Sequence, residues 1–172
     1  MTSTIRIERS TVMADATITA PEGVPYIDVR REFEAPRDLL FRAHTDPELL
    51  VQWLGPRQYT MIVDRYDVRH GGSWRYVHRD DQGNEFGFHG VFHGPQTPDG
   101  MVQTFEFEGA PGHVSLDKLT MEEHDGRTTI RIHSVFQSVE ARDAMVQGGM
   151  ESGMQDGYRR LDELLARLVP VG

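Results

Sequence analysis

Cysteine is absent from all 172 residues, which removes disulfides, thiolate metal ligands and cysteine nucleophiles together and fits a reducing compartment. Long hydrophobic runs are missing as well. No stretch approaches the ~20 apolar residues of a membrane span, and residues 1–20 hold no apolar segment of signal-peptide length. Together these two absences predict a cytoplasmic protein without membrane insertion. Basic residues are scarce: 18 Lys and Arg stand against 27 Asp and Glu, giving a net charge of −9, and Arg30-Arg31 is no more than a small basic cluster. A phosphate backbone or an anionic membrane therefore meets net repulsion, and no nucleic-acid partner is expected.

What is present is enough for a core. Hydrophobic residues make up 38% and charged residues 26%, both spread along the chain, and the length suits one domain that needs no covalent staple. The expectation is a single domain over 1–172, with residues 1–24 as an added N-terminal strand or extension.

Residues 5–20 alternate weakly, and Pro21-Glu22-Gly23 marks a turn before 26–33, where Ile27, Val29 and Phe33 share one face of a strand. Ala35-Pro36 ends that strand. Pro36 can open a helix bearing Leu39, Leu40 and Ala43, and Asp46-Pro47 starts a second short helix ending near Trp53. After Gly55-Pro56, five stretches with strand character are divided by turn sequences such as Gly71-Gly72, Pro98-Asp99-Gly100 and Asp125-Gly126, the spacing of an antiparallel meander.

Alternation assigns the faces: Trp74, Tyr76 and His78 point inward, as do Phe86, Phe88 and Phe92, Phe105 and Phe107, and Thr128, Ile130, Ile132 and Phe136. Val114 and Leu116 have one parity and Leu119 and Met121 the other, so a bulge is predicted near Asp117-Lys118. Arg31 shares the parity of Val29 and Phe33, so a regular strand would turn its guanidinium towards the cavity, where it needs a carboxylate partner or an anionic ligand; a local register slip is the favoured expectation. Ser138 caps a helical region running to about Leu168 and divided at Gly148-Gly149. The fold class is α+β: a curved antiparallel sheet of about six or seven strands around a long C-terminal helix, with two short helices after the first long strand.

The terminal helix carries Met150, Met154, Leu161, Leu164, Leu165 and Leu168 as an apolar stripe. Within it Gly149, Gly153 and Gly157 recur every four residues, and a glycine in a helix interior costs roughly 1 kcal/mol against alanine. Two explanations stand: another backbone approaches closely, or side-chain volume is removed where a pocket needs room.

The histidines show no metal-ligand spacing, since His89 and His93 lie ~13 Å apart along a strand, and no metal or other cofactor is called for. His78 is the one with chemical interest, because an inward imidazole in an apolar cavity can donate, accept or exchange a proton. No phosphate loop, nucleophile elbow or zinc helix is present.

Ala35-Pro36, Phe41, Thr45-Asp46-Pro47, Leu50, Trp53 and Gly55-Pro56, followed by Gly71-Gly72 before Trp74, Gly90, Thr104-Phe105-Glu106, and Gly153 with Leu161 and Leu164, form a recognisable order. Over 26–168 the chain resembles the bacterial homologues of the activator of heat-shock protein 90 ATPase, in the START-like, helix-grip (SRPBCC) superfamily. The chain departs from that family at Leu54, His70 and Met154, where tryptophan, proline and tryptophan are frequent.

The resemblance implies a small hydrophobic ligand, such as a lipid, polyketide or other apolar metabolite, held between sheet and helix. The expected lining is Trp53, Trp74, Tyr76, His78, Phe88, Phe105, Phe107, Ile132, Met150, Gly153, Met154 and Tyr158. Two alternatives follow from relatives: a polyketide cyclase-like or hydrolase-type enzyme using His78 and Arg31, or a stress-response regulator whose partner is a chaperone ATPase. A binding protein is favoured over an enzyme, and the chain is expected to be a monomer or homodimer.

Overall fold

The computed structural model describes residues 13–170. Its elements are β1 (Thr17–Thr19), β2 (Tyr26–Phe33), α1 (Arg37–Thr45), α2 (Pro47–Leu50), β3 (Thr60–Tyr66), β4 (Ser73–Arg79), β5 (Glu85–Val91), β6 (Gly100–Phe107), β7 (Val114–His124), β8 (Arg127–Val135), α3 (Val139–Gln147) and α4 (Met150–Leu168). The strands form one antiparallel sheet in the order β1-β2-β8-β7-β6-β5-β4-β3. From β3 to β8 every strand pairs with its chain neighbour, so the meander is a run of hairpins. The α1 and α2 insert carries the chain from β2 across to the far edge, where β3 begins.

Local chemistry places the boundaries. Pro36 stands before α1 with φ −68°, and Asp46 ends α1 and caps α2, its carboxylate accepting from the Glu48 N–H at 3.0 Å. The β7 to β8 hairpin turns on Asp125 and Gly126, at φ 51° and 76°, the pair of left-handed residues that a tight hairpin needs. Ser138 caps α3 by accepting from Ala141 N–H at 3.0 Å, and Gly149 at φ 86° separates α3 from α4.

Three expectations need correction. Six strands rather than five follow the helical insert, and with β1 and β2 the sheet has eight. Of the weakly alternating N-terminal stretch, residues 17–19 pair with β2 at the sheet edge, whereas 5–12 lie outside the described residues.

The slip expected at Arg31 is absent. Pairing of β2 with β8 is unbroken from Tyr26 to Phe33, and Arg31 faces inward at 2% exposure because Asp162 of α4 meets its guanidinium with two bonds of 2.6 and 2.7 Å.

The bulge expected in β7 is absent too, since its register with β6 and β8 is continuous. Leu116 instead points outward at 49% exposure, and the polar Ser115 and Asp117 take the inner positions. The register irregularity among the outer strands lies in β3, between Val63 and Arg65.

The core sits where α4 crosses the inner face of β2, β8 and the insert. Phe33, Leu40, Trp53, Ile130, Tyr158, Leu161, Leu164 and Leu165 are buried there. The Trp53 indole donates to Ala43 O at 2.9 Å, and its ring stacks on Tyr158 at 6.2 Å, tying insert to helix.

Candidate functional site

Away from that packed end, α4 and the sheet diverge. The inner faces of β4, β5 and β6 carry a continuous aromatic surface. Trp74 and Tyr76 stack at 5.2 Å, Tyr76 meets Phe88 at 5.4 Å, and Phe88 meets Phe105 and Phe107 at 5.6 and 5.2 Å. Period-two alternation produces this: cross-strand partners Tyr76 and Phe88, then Phe88 and Phe107, stand side by side in register.

Above them is a cavity of ≈ 1300 Å³, roofed by the first half of α4 and by α3. Its exposed lining residues are Gln58, His113, Gln137, Glu140, Ala144, Gly148, Gly149, Ser152 and Arg159, so the mouth runs along α3 to the α3–α4 junction and the facing loops.

The glycines of α4 serve close approach. A Cβ at Gly157 would stand 3.2 Å from both Gly55 N and Trp53 O, and one at Gly153 would stand 3.3 Å from Pro56 Cγ. These contacts press the loop after α2 against the helix while the same residues border the cavity. Gly55 is itself required: at φ 92°, a Cβ there would fall 2.5 Å from His78 Cε1.

His78 lies inward, 8% exposed, between Tyr59 and Tyr76, with ring centroids 5.8 and 5.2 Å away. Burial, aided by the positive charge of Arg160, pushes its pKa down to about 4, so the imidazole is neutral at pH 7. Among the described residues, His78 Nε2 and the Trp74 indole nitrogen are buried without a hydrogen-bond partner. His44, at the inner end, is also pushed down to about 4 by burial, its Nδ1 bonded to Leu40 O at 2.7 Å.

Every residue expected to line the site borders the cavity: Trp74, Tyr76 and His78 on β4, Phe88 on β5, Phe105 and Phe107 on β6, Ile132 on β8, and Trp53, Met150, Gly153, Met154 and Tyr158 on the insert and α4. Arg31 does not border it. Its guanidinium is committed to Asp162 and lies 4.6 Å above the Phe33 ring, which removes it as an oxyanion partner for His78. Sequence reasoning missed Gln103, Ser115 and Asp117, which also border the cavity. The shared parity of 115, 117, 119 and 121 was the available signal, had the leucines at 116 and 119 not been assigned to one face.

Curved sheet, terminal helix and enclosed cavity together define the helix-grip class. The sequence pattern of the family described as Activator of Hsp90 ATPase homolog 1-like protein matches residues 34–166, and the chain belongs to that family.

Among solved structures, the chain is similar to a protein of Rhodobacter sphaeroides, at 27% identity and a TM-score of 0.83, covering 90% of this chain and 99% of that one. A protein of Arthrobacter aurescens is 24% identical with a TM-score of 0.80 over 88% and 91% of the two chains. The AHSA1 protein of Silicibacter pomeroyi is 22% identical with a TM-score of 0.69 over 84% and 99%. The last two likenesses show the fold alone. No curated protein matches the chain. No helix among the described residues is long and apolar enough to cross a membrane.

Proposed function

We propose that the protein binds a small hydrophobic molecule, such as a lipid, polyketide or other apolar metabolite, in the cavity between the sheet and α4. The observation that carries this reading is the aromatic inner surface of β4, β5 and β6 lining a ≈ 1300 Å³ space. That volume exceeds the ~300–1000 Å³ of most small-ligand sites, and burying apolar area there supplies roughly 25 cal/mol per Å².

The test is titration with the neutral dye Nile red. Saturable binding is expected, weakened at least about tenfold by Met154→Trp, which places an indole ring in the cavity. Equal, non-saturable uptake by both proteins would defeat the proposal. Gly153→Leu is a poorer probe, because its side chain would first meet Pro56.

One observation favours a second reading. The unpartnered Nε2 of neutral His78 at the cavity wall is suited to accept a proton from a bound substrate. Hydrolysis of a panel of hydrophobic aryl esters tests it, with His78→Gln expected to lower the rate by about 100-fold; no turnover by the parent protein would remove this reading.

A further inference from the structure

The inner face of β6, β7 and β8 is not uniformly apolar. Cross-strand register sorts it into rows. Met101, Leu119 and Ile132 are successive partners across the three strands and form an apolar row. Two residues along, about 6–7 Å away, Gln103, Asp117 and Ser134 are successive partners and form a polar row. Next to it Phe105 pairs with Ser115, where the surface becomes aromatic again. Gln103, Ser115 and Asp117 all border the cavity.

The row is organised around the Asp117 carboxyl. Ser115 Oγ donates to Asp117 Oδ1 at 3.0 Å, and Ser134 is the partner of Asp117 across the β7–β8 ladder. Among the described residues Asp117 forms no ion pair. Its neighbours across the strands are the uncharged Gln103 and Ser134, and Lys118 stands on the opposite, exposed face. A carboxyl enclosed without a counter-charge keeps its proton more readily, and burial raises the pKa of Asp117 accordingly. The carboxyl oxygens and the amide of Gln103 beside them offer hydrogen-bonding atoms to a hydroxyl or carbonyl, in a space otherwise lined largely by aromatic rings, methionines and the apolar row.

From this geometry we infer that Gln103, Asp117 and Ser115 form a polar subsite that takes an uncharged oxygen, a hydroxyl or carbonyl, carried partway along an otherwise apolar ligand. The inference rests on the cavity being a ligand site and adds to it the ligand's chemical class. An apolar row on one side and Phe105 on the other place the oxygen within the length of the ligand, not at its tip. Such a row costs stability in an otherwise apolar wall and returns selectivity, because a buried hydrogen-bonding group discriminates against an analogue that leaves it unpaired.

The experiment displaces Nile red from the intact protein with three molecules of matched shape: ethylnaphthalene, naphthalenemethanol and the cationic naphthylmethylamine. Naphthalenemethanol is expected to bind about tenfold more tightly than ethylnaphthalene, the ratio that one hydrogen bond of ~1.4 kcal/mol gives. In Asp117→Leu, and independently in Gln103→Leu should the first variant not fold, that ratio falls towards one. Asp117→Asn, which keeps a donor and an acceptor, retains most of it.

A wild-type ratio near one, or a ratio untouched by both leucine variants, overturns the inference while leaving the cavity reading intact. Tightest binding by naphthylmethylamine also overturns it, and makes Asp117 a counter-ion for amines. Failure of Nile red to bind at all is the separate failure of the cavity reading.

Discussion

Replacing Asp162 with alanine leaves the Arg31 guanidinium buried beside Phe33 and Tyr158 with no carboxylate. In the native protein the two side chains are 1% and 30% exposed and meet through paired bonds of 2.6 and 2.7 Å. Breaking a buried pair from one side costs about 3–5 kcal/mol, since the remaining charge stays desolvated. Asp162 is partly exposed, and the carboxylate of Asp15 also feels Arg31, so the lower end, ~3 kcal/mol, is expected. For a chain of this size such a loss lowers Tm by roughly 6–12 °C.

Urea denaturation followed by tryptophan fluorescence measures it, with the slope held common across variants. The double variant Arg31→Met with Asp162→Leu removes both charges and is expected within ~1 kcal/mol of the parent, or above it. A loss below ~1 kcal/mol for Asp162→Ala, or a double variant as unstable as the single one, would refute a regular β2 with an inward, paired arginine.

Three further outcomes follow from the same geometry. His44 and His78 titrate at about 4 in the folded protein against 6.5 unfolded, so the unfolded chain binds more protons between those values. Stability should therefore be flat with respect to these groups above pH 6.5 and fall as pH drops towards 4, a trend that Asp117, shifted upward, opposes only in part. A urea midpoint that rises on acidification across this window would contradict it. Gly55→Ala places a methyl 2.5 Å from His78 Cε1 at a left-handed φ of 92° and is expected to cost about 1–3 kcal/mol in the same urea assay. Leu116→Lys, by contrast, changes an outward side chain and should stay within ~0.5 kcal/mol of the parent; a large loss would restore an inward Leu116.

Much of the fold was legible because local signals agreed. Pro36, Asp46, Ser138 and Gly149 stand where helices begin or break, and β8 alternates cleanly with Thr128 and Ile130 fully buried. The aromatic wall was legible for the same reason, as Trp74, Tyr76 and His78 follow strand period.

What failed did so where hydrophobicity and facing part company. Leu116 is outward and Asp117 inward, because continuous pairing with β6 and β8 fixes the register whatever the side chains prefer. Arg31 was misassigned for a related reason. Its partner lies 131 residues away on α4, and no local pattern encodes that meeting. The polar row of the cavity was hidden by the same two effects, since it exists only once three strands are set in register.

The most direct measurement of the account is where an apolar molecule sits. Nitrogen–proton correlation spectra of the protein titrated with Nile red should shift the Trp74 indole N–H and the amides of Tyr76, Phe105 and Met154, which surround the cavity, and leave those of Leu116 and Val135 on the outer face in place. Shifts confined to the outer face, or none at saturating dye, would contradict a ligand site between sheet and helix.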